Sequence, residues 1–146
     1  MTAVDATIGL RQRREAVVNR HAELENQHDI EGTIGTFADP RYEMNGVPAD
    51  GADAVRELLQ SLMGALPDLH ASIDSMRHAD DAVIVEARIT GTHDGEWQGV
   101  PATGRGVDIP GVAIFEFDDD RLICEKVFFD MATMLTQIGV LPAVQG

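Results

Sequence analysis

Two periodicities divide this chain, and their order limits the folds open to it. Before Pro67 the apolar residues recur mainly at helical spacing; from His70 onward they mostly alternate. Arg11 to His28 reads as a first helix, with Val17, His21, Leu24 and His28 on one stripe at spacings of four, three and four. Asp29 can cap a second, short helix over Ile30 to Phe37, which Asp39-Pro40 breaks. Tyr42-Glu43-Met44-Asn45 is a short strand candidate ended by Gly46 and Pro48. A third helix runs from about Ala54 to Met63, with Val55, Leu58, Leu59 and Leu62 as its apolar face, and Gly64 and Pro67 stop it. Residues 1 to about 10 read as a loose terminus.

The second half supplies a sheet. His70 to Arg77 alternates imperfectly. In Ala82 to Thr92, Glu86, Arg88 and Thr90 share one face, and Val83, Val85, Ala87 and Ile89 the other. A Gly-rich connection follows from His93 to Gly106, then strands over Val107 to Phe117 and Arg121 to Asp130. Helices first and strands later predict one α+β domain over residues 1–146, with the helices on one face of a mostly antiparallel sheet. No linker or internal repeat interrupts it.

The last strand ends on a carboxylate. Val127, Phe128 and Phe129 are strand formers, and Met131, Met134, Leu135 and Ile138 have helical spacing up to Gly139 and Pro142. Asp130 stands at the junction. A carboxylate flanked by so much apolar sequence would lose hydration, and burial raises a carboxyl pKa into the range useful for proton transfer. The alternative is that Asp130 caps the short C-terminal helix.

Composition excludes several classes. A formal charge of −14 repels phosphate backbones, so no nucleic acid is expected as a partner. No apolar run approaches the roughly 20 residues of a membrane span. Met1 to Leu10 lacks a basic stretch followed by an apolar one, so no secretory signal is expected. The single Cys124 cannot form an internal disulfide and fits a cytoplasmic location, reading as a small core residue rather than a nucleophile. Asp118-Asp119-Asp120 lies between two strands and reads as a solvated hairpin turn rather than a calcium loop. His21 and His28 could line a pocket or be hydrogen-bonded at the edge of a core. No third ligand stands at helical or strand spacing from them, so no metal is expected.

Other candidates carry two readings each. Asp130, Phe128 and Lys126 share one face of the last strand; if it lines a cavity, Asp130 has an apolar neighbour and a cation close by. Glu116 is a second pocket carboxylate or an exposed sheet residue. Arg88 binds a substrate carbonyl or pairs with a surface acid. Trp97 is a rim aromatic or a packing anchor.

Several segments together carry a resemblance over about Arg14 to Pro142. They are Gly91-Thr92-His93-Asp94-Gly95-Glu96 with Gly99-Val100-Pro101-Ala102-Thr103-Gly104, and Phe128-Phe129-Asp130 with Gln137-Ile138-Gly139. Weaker matches are Asn26-Gln27-His28-Asp29 and Gly51-Ala52-Asp53-Ala54-Val55-Arg56. The chain resembles the SnoaL-like polyketide cyclases, within the nuclear transport factor 2-like fold. The resemblance implies a curved sheet forming a cone-shaped half-barrel. N-terminal helices lie on its concave side, a short helix ends the chain, and a ligand cavity opens at one end. It further implies a homodimer and an intramolecular aldol reaction without cofactor or metal, with Asp130 at the position of the acid/base aspartate. Limonene-1,2-epoxide hydrolases share that aspartate and add an Arg-x-Asp and a Tyr-x-Asn pair. Here the first reads Arg88-Ile89-Thr90, and Tyr42 is followed two residues on by Met44. Where cyclases often have Glu-His-Trp before the aspartate, this chain has Glu125-Lys126-Val127.

Three functions follow as expectations. One is a cyclase or isomerase acting on a small hydrophobic carbonyl compound, with Asp130 catalytic and Val17, His21, Tyr42, Arg88, Trp97, Glu116 and Phe128 as candidate substrate-binding residues. Another is a hydrolase or hydratase in which Asp130 activates water. The third is a non-catalytic binder or interaction module.

Overall fold

The computed structural model describes residues 2–142. Four helices and six strands follow in the order α1 (Ala3–Asn26), α2 (Ile30–Gly35), β1 (Arg41–Met44), β2 (Val47–Asp50), α3 (Ala52–Ala65), β3 (His70–His78), β4 (Ala82–Thr92), β5 (Gly106–Asp118), β6 (Arg121–Phe129) and α4 (Met131–Gln137). The strands form one curved, unclosed sheet in the order β2-β1-β6-β5-β4-β3. Every neighbouring pair is antiparallel except β1 with β6, which run parallel. The α+β reading therefore holds. No helix among the described residues is long and apolar enough to cross a membrane.

Helix α1 begins at Ala3, not near Arg11. Thr2 caps it, accepting from the Asp5 backbone N–H while the Asp5 side chain accepts from the Thr2 backbone. The capping box starts the helix before it reaches the core. Val4 and Ile8 stay exposed there, so hydrophobic spacing carries no signal of the first turns. Further along, Arg14 is buried and ties the helix to two turns, donating to the Asp119 carbonyl at 2.7 Å and the Asp80 carbonyl at 2.9 Å.

A second hairpin strand also escapes the sequence pattern. Asn45 and Gly46 form a two-residue turn with φ of 49° and 84°, the left-handed pair that suits a tight hairpin. It returns the chain as β2, whose Pro48 is tolerated because β2 is an edge strand.

The main core lies between the helices and the concave sheet face. Val18 of α1 and Val55 and Leu59 of α3 pack with Val83, Val85, Phe115 and Phe117. A second cluster joins Ala65, Leu66, Trp97, Val107, Ile109, Met134 and Ile138 at the end of the sheet that α4 covers. Trp97 is 3% exposed and so anchors the connection between β4 and β5 instead of forming a rim. That connection lies hard against the end of α3. Gly95 N–H donates to the Ala65 carbonyl, and a Cβ at Gly95 would stand 1.9 Å from the Gly64 carbonyl oxygen.

One irregularity decides what faces the interior. Glu116 pairs with Cys124 but Phe117 pairs with Leu122, so Ile123 is an extra residue, a β-bulge in β6. Leu122 points into the core, and beyond the bulge the inward residues are Glu125, Val127 and Phe129. Without the bulge, alternation from Leu122 would send Cys124, Lys126 and Phe128 inward.

Candidate active site

A cavity of about 100 Å³ lies between the helices and the concave sheet face. Leu62, Leu66, Ile89, Ile109, Phe129 and Met134 make most of its wall apolar. Its polar groups are Glu25, Asn26, Tyr42 and Glu125. Asn26 is already committed: its amide brackets the Ala71 backbone, donating to the carbonyl and accepting from the N–H at 2.8 Å each. A smaller cavity of about 50 Å³ lies behind, and Glu25 and Glu125 line both.

The centre of the polar group is His21, 1% exposed on α1. Its Nε2 is 2.8 Å from Glu125 Oε2 and 3.1 Å from Glu25 Oε2. Glu25 is one helical turn along α1, the spacing at which side chains meet. Glu125, 4% exposed, comes from β6. Its contact with His21 is an ion pair and not an aligned hydrogen bond. The imidazole lies edge-on to the rings of Phe37 and Phe115, with centroids 5.3 Å away in both cases. Tyr42 lies beside the same residue because parallel pairing sets it opposite Glu125, and both line the cavity.

Burial and charge act against each other in this group. Burial alone would strip the proton from His21, but Glu125 and Glu25 outweigh it and raise the imidazole to about 10. Burial pushes the Glu125 carboxyl up, while His21 pulls the other way. Burial, reinforced by Glu125 and Glu25, holds the Tyr42 phenol well above its usual range, so it remains a donor. One imidazolium faces two carboxyl groups. An arrangement of this kind stores a proton in an apolar site and can give or take it.

The same three residues are the one group among those described that could hold a metal ion, with donor atoms within 4.8 Å of one another. The third donor comes from a distant strand, which spacing along the sequence cannot reveal. As they stand, the donors meet each other at ion-pair distances.

The other candidates lie apart from this cavity. Asp130 is exposed and caps α4, accepting from the Ala132 N–H at 3.0 Å and the Thr133 hydroxyl at 2.7 Å. These bonds, led by the Thr133 hydroxyl, hold its carboxyl below the usual range. It borders an open groove on the outer side of the sheet together with Phe128, which is 45% exposed. Lys126 and Glu116 pair on that outer face at 3.0 Å. Arg88 is also exposed, with Asp108 2.6 Å away. Val17 packs half-buried against the main core. His28 contacts the Leu69 carbonyl at 2.9 Å. Burial pushes the Cys124 thiol up to about 11, which leaves it inert. Of the residues singled out from the sequence, His21 and Tyr42 therefore meet. Their companions Glu25 and Glu125 were missed. Glu25 had a readable signal, being four residues from His21 on the same face. Glu125 had the oddity of an acid inside an apolar strand and its place at the Glu of the Glu-His-Trp run.

The comparisons with known proteins agree with this architecture. No curated protein matches the chain significantly. Among solved structures, AclR from Streptomyces galilaeus, a candidate hydroxylase, is 28% identical with a TM-score of 0.78, over 90% of this chain and 84% of that one. IdmH from Streptomyces antibioticus, a candidate polyketide cyclase, is 25% identical with a TM-score of 0.73, over 87% and 99%. A candidate SnoaL-like polyketide cyclase from Jannaschia sp. CCS1, 24% identical with a TM-score of 0.79 over 90% and 94%, shares the fold. The model of the SnoaL-like polyketide cyclase family matches residues 15–138, and the chain belongs to that family.

Proposed function

We propose that this protein is a cyclase-like enzyme that moves a proton alpha to a carbonyl of a small hydrophobic substrate, using Glu125 as the base and then the acid. The observation that carries the reading is a carboxyl group 4% exposed at the wall of an apolar cavity, 2.8 Å from a histidine it keeps charged. The Glu125 carboxylate takes the α-proton, and the electrons of the C–H bond pass to the carbonyl oxygen as an enolate. The Tyr42 hydroxyl donates to that oxygen. The enolate carbon then attacks a second carbonyl of the same molecule, forming the ring bond, and the resulting alkoxide recovers the proton from Glu125. Every proton taken is returned, so the chain's own side chains complete the cycle.

The test is deuterium uptake from D2O at the α-carbon of an apolar aryl β-ketoester, followed by proton NMR. Uptake well above the buffer rate supports the reading, and a rate equal to buffer removes it. Asp130→Asn distinguishes the two carboxylates. Asn caps about as well as Asp, so this variant is expected to keep its stability and its exchange rate within a few-fold. A loss of two decades or more would return the base to Asp130.

Water activation by the same Glu125 is the second reading. The 50 Å³ cavity behind it carries His21, Glu25 and Asn26 on its wall and has room for water. Diol formation from an apolar epoxide would select it.

The assembly is proposed as a homodimer through the outer sheet face, where Val112 and Phe128 are 37% and 45% exposed. Light scattering at micromolar concentration should give twice the chain mass; a monomer mass would contradict it.

A further inference from the structure

The histidine of this site has two ring nitrogens, and only one faces the carboxylates. The other, Nδ1, lies 2.8 Å from the Thr36 hydroxyl oxygen. Thr36 follows the last residue of α2, and its hydroxyl has a single proton. That proton goes to the Thr33 carbonyl, 2.6 Å away. With its proton spent, the Thr36 oxygen can only accept. A bare Nδ1 would set two lone pairs against each other at 2.8 Å in a buried place. Nδ1 therefore carries a hydrogen, and Nε2 is the nitrogen that exchanges protons with Glu125 and Glu25.

We propose that Thr36 is the positioning residue of this site: it fixes the tautomer and orientation of His21, so that one nitrogen is always a donor and the other always faces the carboxylates. The role rests on the acid/base reading of Glu125, but the tautomer stands on geometry alone. Thr36 touches neither carboxylate in the structure's hydrogen bonds and acts through the ring. Thr33 in turn is fixed by its own hydroxyl, which donates to the Asp29 carbonyl at 2.7 Å. The edge-on rings of Phe37 and Phe115 restrain the imidazole sideways. They give no means of choosing between its two nitrogens; Thr36 requires a hydrogen on Nδ1, and the carboxylates face Nε2.

The experiment is nitrogen-15 NMR of His21 in the wild type, Thr36→Val and Thr36→Ser, read beside the deuterium-uptake assay. The wild type should show Nδ1 protonated throughout the pH range in which the protein is folded, with any titration confined to Nε2. Thr36→Val should show a displaced ring, and a mixture of tautomers once the imidazolium has lost its proton, with exchange slower by roughly ten- to a hundredfold, the scale of a small misplacement of a reacting group. Thr36→Ser, which restores the hydroxyl, should recover the wild-type spectrum and most of the rate. A wild-type spectrum with Nδ1 bare overturns the proposal, even if Thr36→Val fails to fold. So does a folded Thr36→Val protein with an unchanged His21 spectrum. Spectra as expected in a protein with no deuterium uptake would uphold the tautomer lock and remove the acid/base reading instead.

Discussion

Glu125→Gln is expected to lower deuterium uptake by roughly two to four decades, the usual contribution of a general base. Glutamine keeps the shape of the side chain, but it cannot take a proton at neutral pH. The variant should fold, because His21 keeps Glu25 at 3.1 Å as a counter-ion. Binding of an apolar ketone should survive for the same reason, since the cavity wall is otherwise unchanged. The measurement therefore separates rate from fold, with circular dichroism and ketone affinity as controls. A rate within a few-fold of the wild type would remove Glu125 from the mechanism. The contrast with Asp130→Asn is the sharper test, because both changes remove one carboxylate from the same end of the chain.

His21→Ala should cost about 3–5 kcal/mol of stability, read as a fall in the denaturant midpoint. The cost is that of breaking a buried pair and not the net value of the pair. Removing the imidazole leaves Glu125, 4% exposed, facing Glu25 without a cation. The variant should recover part of the loss at acid pH, where Glu125 can take a proton. In the wild type the sign follows from two raised groups. The folded His21 is raised to about 10 from 6.5, so its contribution is complete below 6.5 and is lost as pH rises toward 10. Glu125, also raised, loses its contribution in the same direction, starting from its ordinary value of 4.5. The wild type should therefore weaken on the alkaline side, and His21→Ala should lack the part of that slope above 6.5. A change in stability below about 1 kcal/mol would show that the group is hydrated and not buried.

What the chain settles by itself is its elements and the order in which they come. Period 3.6 in Val55, Leu58, Leu59 and Leu62 and period 2 in Val83, Val85, Ala87 and Ile89 are local properties. They suffice for α3 and β4 and for the helices-then-sheet plan, whereas the family resemblance rests on motifs such as Gly91 to Glu96 and Phe128 to Asp130. The Asn45-Gly46 turn is equally local, but Asn45 reads in sequence as part of the strand, and the return strand carries Pro48 and little apolar signal. The start of α1 was not readable from apolar spacing, because Thr2 and Asp5 begin it with polar bonds and its first turns bury nothing.

The site is different in kind. Glu125 meets His21 across about a hundred residues of chain, through a parallel pairing of β6 with β1 and the packing of α1 on the concave face. No spacing rule spans that distance. The inward face of β6 depends on one extra residue, Ile123, whose bulge forms only when β6 pairs with β5. A strand read without its partner has two equivalent faces, and the apolar run from Val127 to Phe129 labels neither as inner. Sequence could therefore name the strand that carries the acid. Only the tertiary structure shows Glu125 buried and Asp130 exposed, because burial is a property of the register and not of the residue.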